Sequence, residues 1–492
     1  MNLPAKLGIG VAALAALWSG GWFAGKAFVV EPEADKAVEA LRAGDLFFSF
    51  ERRDVSGFPF AYDIKYENAA FSDASALWRW TTPTLTVGSG VADGGALRLT
   101  PSAQSKLLVE AVAMGGGADD EPAEFDISAD APLVVLTGDE AGARYEVTAT
   151  SLRAVQAESA GVVTDVVLGF EALRADGAMA MSGDAADLDL KATEVEVAYV
   201  ISPDGVSESA SSTVMKDVGI EFAATGLNAE DLPGFIAAGG EGKFVMTASS
   251  FTGDGRSTGG PSAQVFDMSS VGDELAFEIE VKDGRVRYAG EGGAGVTTIK
   301  SQDESSFPGG DIAYSGADIR FEMPIKKGDG PEPYALVFKF DGMTAEESLW
   351  AMFDPSGAIS RDAAAVSVVL GGDIRLLADL GDESFGGEPF DVETLRIEEI
   401  KISGLGVEAT ATGELDISGD ASLPDGEVDV EVRGAFALLD GLSEVGMIPP
   451  GVGDLYRQMA LEFVELGDGP DHLIAKIQAR NGVTSINGRP LQ

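Results

Sequence analysis

The chain has no cysteine, a single histidine (His472) and only 34 Lys and Arg against 81 Asp and Glu. Each shortage excludes a chemistry. Without cysteine there is no disulfide, no thiolate nucleophile and no cysteine-ligated zinc or iron–sulfur centre. One histidine cannot build the clusters that most zinc and non-haem iron sites need, and no cofactor is expected. The net charge of −47 excludes an electrostatic nucleic-acid binder, because affinity for a phosphate backbone comes from clustered Lys and Arg that displace counterions. Cationic partners or strongly charged solvent suit such a surface better. What is present is apolar surface: a hydrophobic fraction of 45% with 8% aromatics argues against wholesale disorder and for a sizeable core.

Glycine, at 63 residues, is nearly double its usual share of about 7%, has no collagen period, and reads as turn punctuation in a β-rich protein. At the amino terminus, Lys6 precedes an apolar run from Leu7 to Ala24, followed by Lys26 and then Ala27 to Val30. At about 1.5 Å per residue this stretch can cross a hydrocarbon core of about 30 Å. Trp18, Trp22 and Phe23 sit where amphipathic rings favour an interface. Residues 1–30 are therefore expected to be a transmembrane signal-anchor. The alternative is a cleaved signal peptide, with Gly25-Lys26-Ala27 as a loose small-x-small site, although the run exceeds a typical h-region of about 7–15 residues. Lys6 before the span and Glu31, Glu33 and Asp35 after it place the rest of the chain outside the cytoplasm. Glu31 to Ala43 reads as a stalk helix.

Beyond residue 45 the dominant signal is period-two alternation, the mark of strands with one apolar face. Phe60, Tyr62, Ile64 and Tyr66 alternate with polar residues, as do Leu275, Phe277, Ile279 and Val281 before an Asp283-Gly284 hairpin turn. Leu405 to Ile417 alternates for thirteen residues, and a closing hairpin is expected around Asn481-Gly482. Helices are expected at Asn228–Ala238, Thr344–Met352, Phe436–Val445 and Gly453–Val464, too few to cover every apolar sheet face. The fold class is mostly β, α+β with few helices: an extended, curved antiparallel sheet or a sandwich. Linkers are expected at Gly115–Pro122, Thr252–Pro261, Lys326–Pro333 and Gly381–Pro389, all dense in Gly, Pro and acids. This divides the chain into an anchor (1–30), a first β-rich half with the stalk helix (31–251) and a second half with the later helices and closing hairpin (262–492). Phe222 to Asp231 and Phe338 to Glu347 share a strand-turn-helix spelling, which is either a duplication or common capping chemistry.

Motifs with a chemical reading fail on context. Gly290-Glu-Gly292-Gly-Ala-Gly295 spells a dinucleotide loop, but a strand-like Val296–Ile299 follows where a helix is required. Gly255-Arg-Ser257-Thr-Gly259 spells a nucleophile elbow without its buried strand and helix, and His472 is its only base. Asp184, Asp187 and Asp189, or Asp420, Asp425 and Asp429, could hold calcium, but neither set matches a calcium loop and solvated surface acids are the simpler reading.

Trp18-Ser19-Gly20 with Trp22, Val55-Ser-Gly-Phe-Pro-Phe60, Trp80 with Pro83, Leu349-Trp350 with Phe353-Asp-Pro355, Ala479-Arg-Asn-Gly-Val483 and Asn487-Gly-Arg-Pro-Leu491 together resemble an alphaproteobacterial family, domain of unknown function 2125. The carboxyl end is also similar to AsmA-type envelope proteins. These resemblances imply a β-rich protein exported and tethered at the bacterial inner membrane, with the bulk of the chain periplasmic or, if the leader is cleaved, soluble in the periplasm. They imply no catalytic residue. The sequence reading is a non-enzymatic, membrane-anchored periplasmic protein that contacts lipid or envelope proteins, with Phe58, Pro59 and Phe60 as the contact nearest the membrane. The alternatives are an envelope scaffolding or interaction protein and, last, a periplasmic hydrolase.

Overall fold

The computed structural model describes residues 35–491 except 37, 40–45, 57–60, 74–76, 91–95, 111–121, 139–141, 159–162, 181–183, 203–207, 228–231, 259–264, 302–306, 381, 383–387, 419–423, 450 and 481. Its contacts divide the chain into two compact units, Met1–Val265 and Phe266–Gln492. Each is a β-meander in which strands pair antiparallel with their neighbours in sequence. In the first unit, 46–56 pairs with Ala61–Asp73, which pairs with Trp78–Gly90. The order continues through 97–109, 123–138, Gly142–Glu158, Val163–Ala180, Ala185–Ile201 and Glu208–Thr225 to Glu241–Thr258. In the second, Phe266–Lys282 leads through 285–301, 310–324, Glu332–Ala345, Ala364–Leu376, Phe390–Gly404, Val407–Asp416 and Asp425–Arg433 to His472–Arg480 and a short terminal hairpin.

The helices are short. Beyond position 45 the described ones are α1 (Leu232–Ala237), α2 (Glu347–Trp350), α3 (Ala435–Glu444) and α4 (Val452–Phe463). Turn chemistry fixes the hairpins: Asp283 and Gly284 take φ of 51° and 72°, as a two-residue turn between right-twisted strands requires. The driest cluster lies at the start of the first unit, where Phe48, Val55, Tyr62, Ile64, Tyr66, Ala69 and Leu85 pack together. There the Phe48 ring stacks on Phe71 at 4.5 Å and meets Tyr66 edge-on at 5.0 Å.

The antiparallel β architecture and the Asp283-Gly284 hairpin agree with the sequence reading, but several other expectations need correction. The expected transmembrane anchor is corrected to this: among the described residues no helix is long and apolar enough to cross a membrane, and residues 1–30, where the span was expected, lie outside them. The inner membrane as partner, the single-pass localisation and the anchored, lipid-contacting function rested on that span and have no support among the described residues. Of the stalk helix, only positions 35–36 and 38–39 are described, and they are helical. Thr252–Pro261 is not a linker through its first half, because the strand Glu241–Thr258 runs across it. The thirteen-residue alternation from Leu405 begins in a turn, where Leu405 and Gly406 have positive φ, and the strand proper is Val407–Asp416. Thr344, read as a helix cap, lies within the strand Glu332–Ala345.

Candidate functional site

The broadest apolar feature of the first unit is built by its last five strands. Leu152, Phe170, Val195, Met215 and Phe251 stand in register across Gly142–Glu158 to Glu241–Thr258. Further along, Val147, Ala175, Leu190, Ile220 and Met246 form a second row, and Tyr145, Gly177, Leu188, Phe222 and Phe244 a third. Within each strand the apolar positions change parity between these halves. In Val163–Ala180 they are even at Leu168 and Phe170 and odd at Leu173, Ala175 and Met179. In Ala185–Ile201 they are even at Leu188, Leu190 and Ala192 and odd at Val195, Val197 and Tyr199.

Alternation has period two, so a parity change in an unbroken strand would turn half its apolar residues to the opposite face. The backbone absorbs the change instead. Ala172 and Asp217 adopt φ of 49° and 47°, and regular pairing is interrupted beside both. Ser249 Oγ donates to Asp217 Oδ2 at 2.8 Å, and Thr193 Oγ1 donates to Glu171 O at 3.2 Å. The interruptions are aligned across neighbouring strands, with the register unchanged on either side, and make a transverse crease. It keeps both halves of the apolar pattern on one face.

Burial supports this reading. Directly beside the crease Ala149, Leu173, Ala192, Val218 and Ala248 are all buried, Val218 to 2%. Away from it Leu152, Phe170, Met215, Phe244 and Met246 are half-buried, and Leu168 and Tyr199 are exposed at 36% each. The pattern is that of a trough with a dry floor along the crease and walls left half-open among the described residues. The opposite face is charged: Lys216 pairs with Glu194, Arg153 with Glu196, and Arg174 with Asp176 at 2.9 Å. The hydrogen bond from Arg174 holds the Asp176 carboxyl below its usual range.

The residues singled out in the sequence are not brought together. Phe58, Pro59 and Phe60 lie outside the described residues. Ser257 lies on a strand opposite Ser209, with the two Oγ atoms 3.4 Å apart. The His472 ring is buried and held by carboxylates on both sides, with Nε2 2.7 Å from Glu431 Oε1 and Nδ1 2.5 Å from Asp468 Oδ1. Its hydrogen bond holds the Asp468 carboxyl below the usual range. Among the described residues no group of three or more His, Cys, Asp or Glu could hold a metal ion. Asp189 is paired with Lys191 and Asp429 with Lys476, at 2.8 and 3.3 Å. Gly290 to Gly295 lies in paired strands with a second crease between them at Gly293, not in a phosphate loop.

An uncharacterized protein family conserved in bacteria, DUF2125, matches residues 291–491. No curated protein and no solved structure matches the chain. The match lies wholly in the second unit and leaves out the resembling residues before position 291.

Within the matched region the best-formed polar group was not read as such in the sequence. Asp354, fully buried, accepts from Ala358 N and Ile359 N at 2.9 Å each, from Ser356 Oγ at 3.1 Å, and from the guanidinium of Arg361. Burial pushes its pKa up, but the Arg361 bond and the two backbone N–H groups outweigh this and hold it below the carboxylate range. Arg361 also lies 4.4 Å over the Trp350 ring, which packs on Phe353 at 4.9 Å. Phe353-Asp354-Pro355 is thus a folded turn that ties α2 to the strand beginning at Ala364. The sequence showed the residue types, but the acceptor role depends on backbone N–H groups that no residue spelling displays.

Proposed function

We propose that this is a non-catalytic interaction protein that seats a partner polypeptide against the creased apolar face of its first unit. The half-covered face carries the proposal. An apolar wall that stays wet is unfavourable by about 25 cal/mol per Å², and large exposed apolar surfaces mark interaction sites. The charged opposite face keeps the sheet soluble on the side where nothing binds. The chemical inventory agrees with a binding role, since the lone histidine is engaged by carboxylates on both ring nitrogens.

A photo-crosslinking residue placed at Leu168 or Tyr199 should give a reproducible polypeptide adduct that is absent with the probe at Glu221 on the charged face. The adduct should be lost on Phe170→Glu. Lipid adducts alone, or equal yields from all three positions, would overturn the reading.

A further inference from the structure

The second unit carries an exposed apolar surface of a different kind. Met447, Leu455, Tyr456, Met459, Leu461 and Leu466 are 43–54% exposed, and no other described stretch of this length holds as many exposed large apolar side chains. Three of them share one side of α4. Leu455, Tyr456 and Met459, at i, i+1 and i+4, are each 52% exposed. The inward side is packed: Gly453 is buried, and Arg457 donates to Phe436 O at 3.3 Å and to Asp440 at 2.7 Å while lying 5.0 Å over the Phe436 ring. Asn487 Nδ2 donates to Phe463 O at 3.0 Å, fastening the far end. The helix is therefore held by one face and offers the other.

Charge selects the partner. Glu444, Asp454, Glu462 and Glu465 are exposed around the stripe. The nearby cations are directed elsewhere, Arg457 inward and Arg489 onto the carbonyl of Glu462. A second copy of a chain with net charge −47 would be repelled, and so would an anionic bilayer. An apolar stripe at helical spacing between carboxylates is matched by a helix with its own apolar stripe between Lys or Arg residues, as in helix pairs with complementary flanking charges. We propose that the outward face of α4 docks a cationic amphipathic helix of a partner protein.

The test uses the full chain and a synthetic Leu/Lys amphipathic helix of about eighteen residues, long enough to be helical when bound. A scrambled peptide of the same composition measures attraction due to charge alone. By fluorescence anisotropy the amphipathic peptide should bind at least about tenfold more tightly than the scrambled one, since anchors packed against a stripe add what charge cannot. Leu455→Ser/Met459→Ser should abolish that difference while circular dichroism stays unchanged. Asp454→Asn/Glu462→Gln should weaken binding and flatten its salt dependence. Equal binding of both peptides, or an undiminished difference in the Ser variant, would overturn the proposal. So would vesicle binding, or self-association in sedimentation, that the Ser variant removes. Crosslinking at Leu168 and Tyr199 is expected to be the same in these variants, so the α4 surface and the trough stand or fall separately.

Discussion

Asp354 shows how much one side chain can organise when its charge is enclosed. Its carboxylate gathers two backbone N–H groups, a hydroxyl and a guanidinium. Because its pKa is lower in the folded than in the unfolded chain, it contributes stability above the unfolded value of about 3.9, and that contribution is lost as pH falls through the acid range. Asp354→Asn should lower the melting temperature at pH 7, and the gap from wild type should shrink as the pH is taken from about 5 towards 2. Thermal melts at pH 7 and pH 3 decide this, and an equal gap at both would refute it. Glycine needs revision at the same scale. It was expected to punctuate turns, yet Gly177 lies inside a strand and Gly295 opens one, and an added Cβ there would come within 2.4 Å of the rings of Tyr145 and Tyr314. Both pairs stand in register, so each ring covers the gap left by a missing side chain opposite it. Composition alone cannot distinguish such a glycine from one in a turn.

At the scale of elements the crease is the governing device. A non-glycine residue in the left-handed region costs about 1–2 kcal/mol, so Ala172 at φ 49° is retained against a local penalty. Ala172→Gly should therefore be neutral or stabilising by up to about 1 kcal/mol, whereas Ala154→Gly, inside the regular part of the neighbouring strand Gly142–Glu158, should cost about 0.5–1 kcal/mol. Urea titrations of the two variants test the contrast, and equal destabilisation would count against the crease as the site of strain. The crease also explains what the sequence displayed and what it hid. Leu275 to Val281 was legible as a strand because its alternation is unbroken. Phe266 and Met268 belong to the same strand but at the other parity, with Glu274 at φ 44° between the halves, so a period-two reading stops at the slip. Thr252–Pro261 was misread as a linker for a related reason: Phe251, Gly253 and Gly255 follow a slip at Ser249, and their glycines imitate a loop. The Asp283-Gly284 hairpin, whose signal is local, was read correctly. The trough was not visible, because it depends on which half-strands share a face. The α4 segment was recognised as a helix, but its unpartnered side shows only once Arg457 and Phe463 are seen to hold the other.

For the molecule as a whole, the charge of −47 is spread over outward strand positions and loops. Several acids there are held by cations, as Glu322 is by Arg287, whose hydrogen bond keeps its carboxyl below the usual range against the effect of burial. With 34 cations for 81 acids most of the excess must stay unpaired and repel itself. Screening within about 10 Å at 0.1 M salt should relieve that repulsion. The melting temperature is expected to rise with added sodium chloride, and a flat or falling trend would refute it.

The crease also bears on how the chain can change in length. Each strand that crosses it carries a one-residue phase slip matched to those of its neighbours. Removing a single residue from the middle of Val163–Ala180 would cancel its slip while those beside it remained. Half of that strand would then have to lose its pairing register or present Leu173 and Ala175 to the charged face. Hairpin loops carry no such phase, so a single-residue insertion or deletion should be tolerated in a loop but not in a strand interior, where residues can change far more freely than their number.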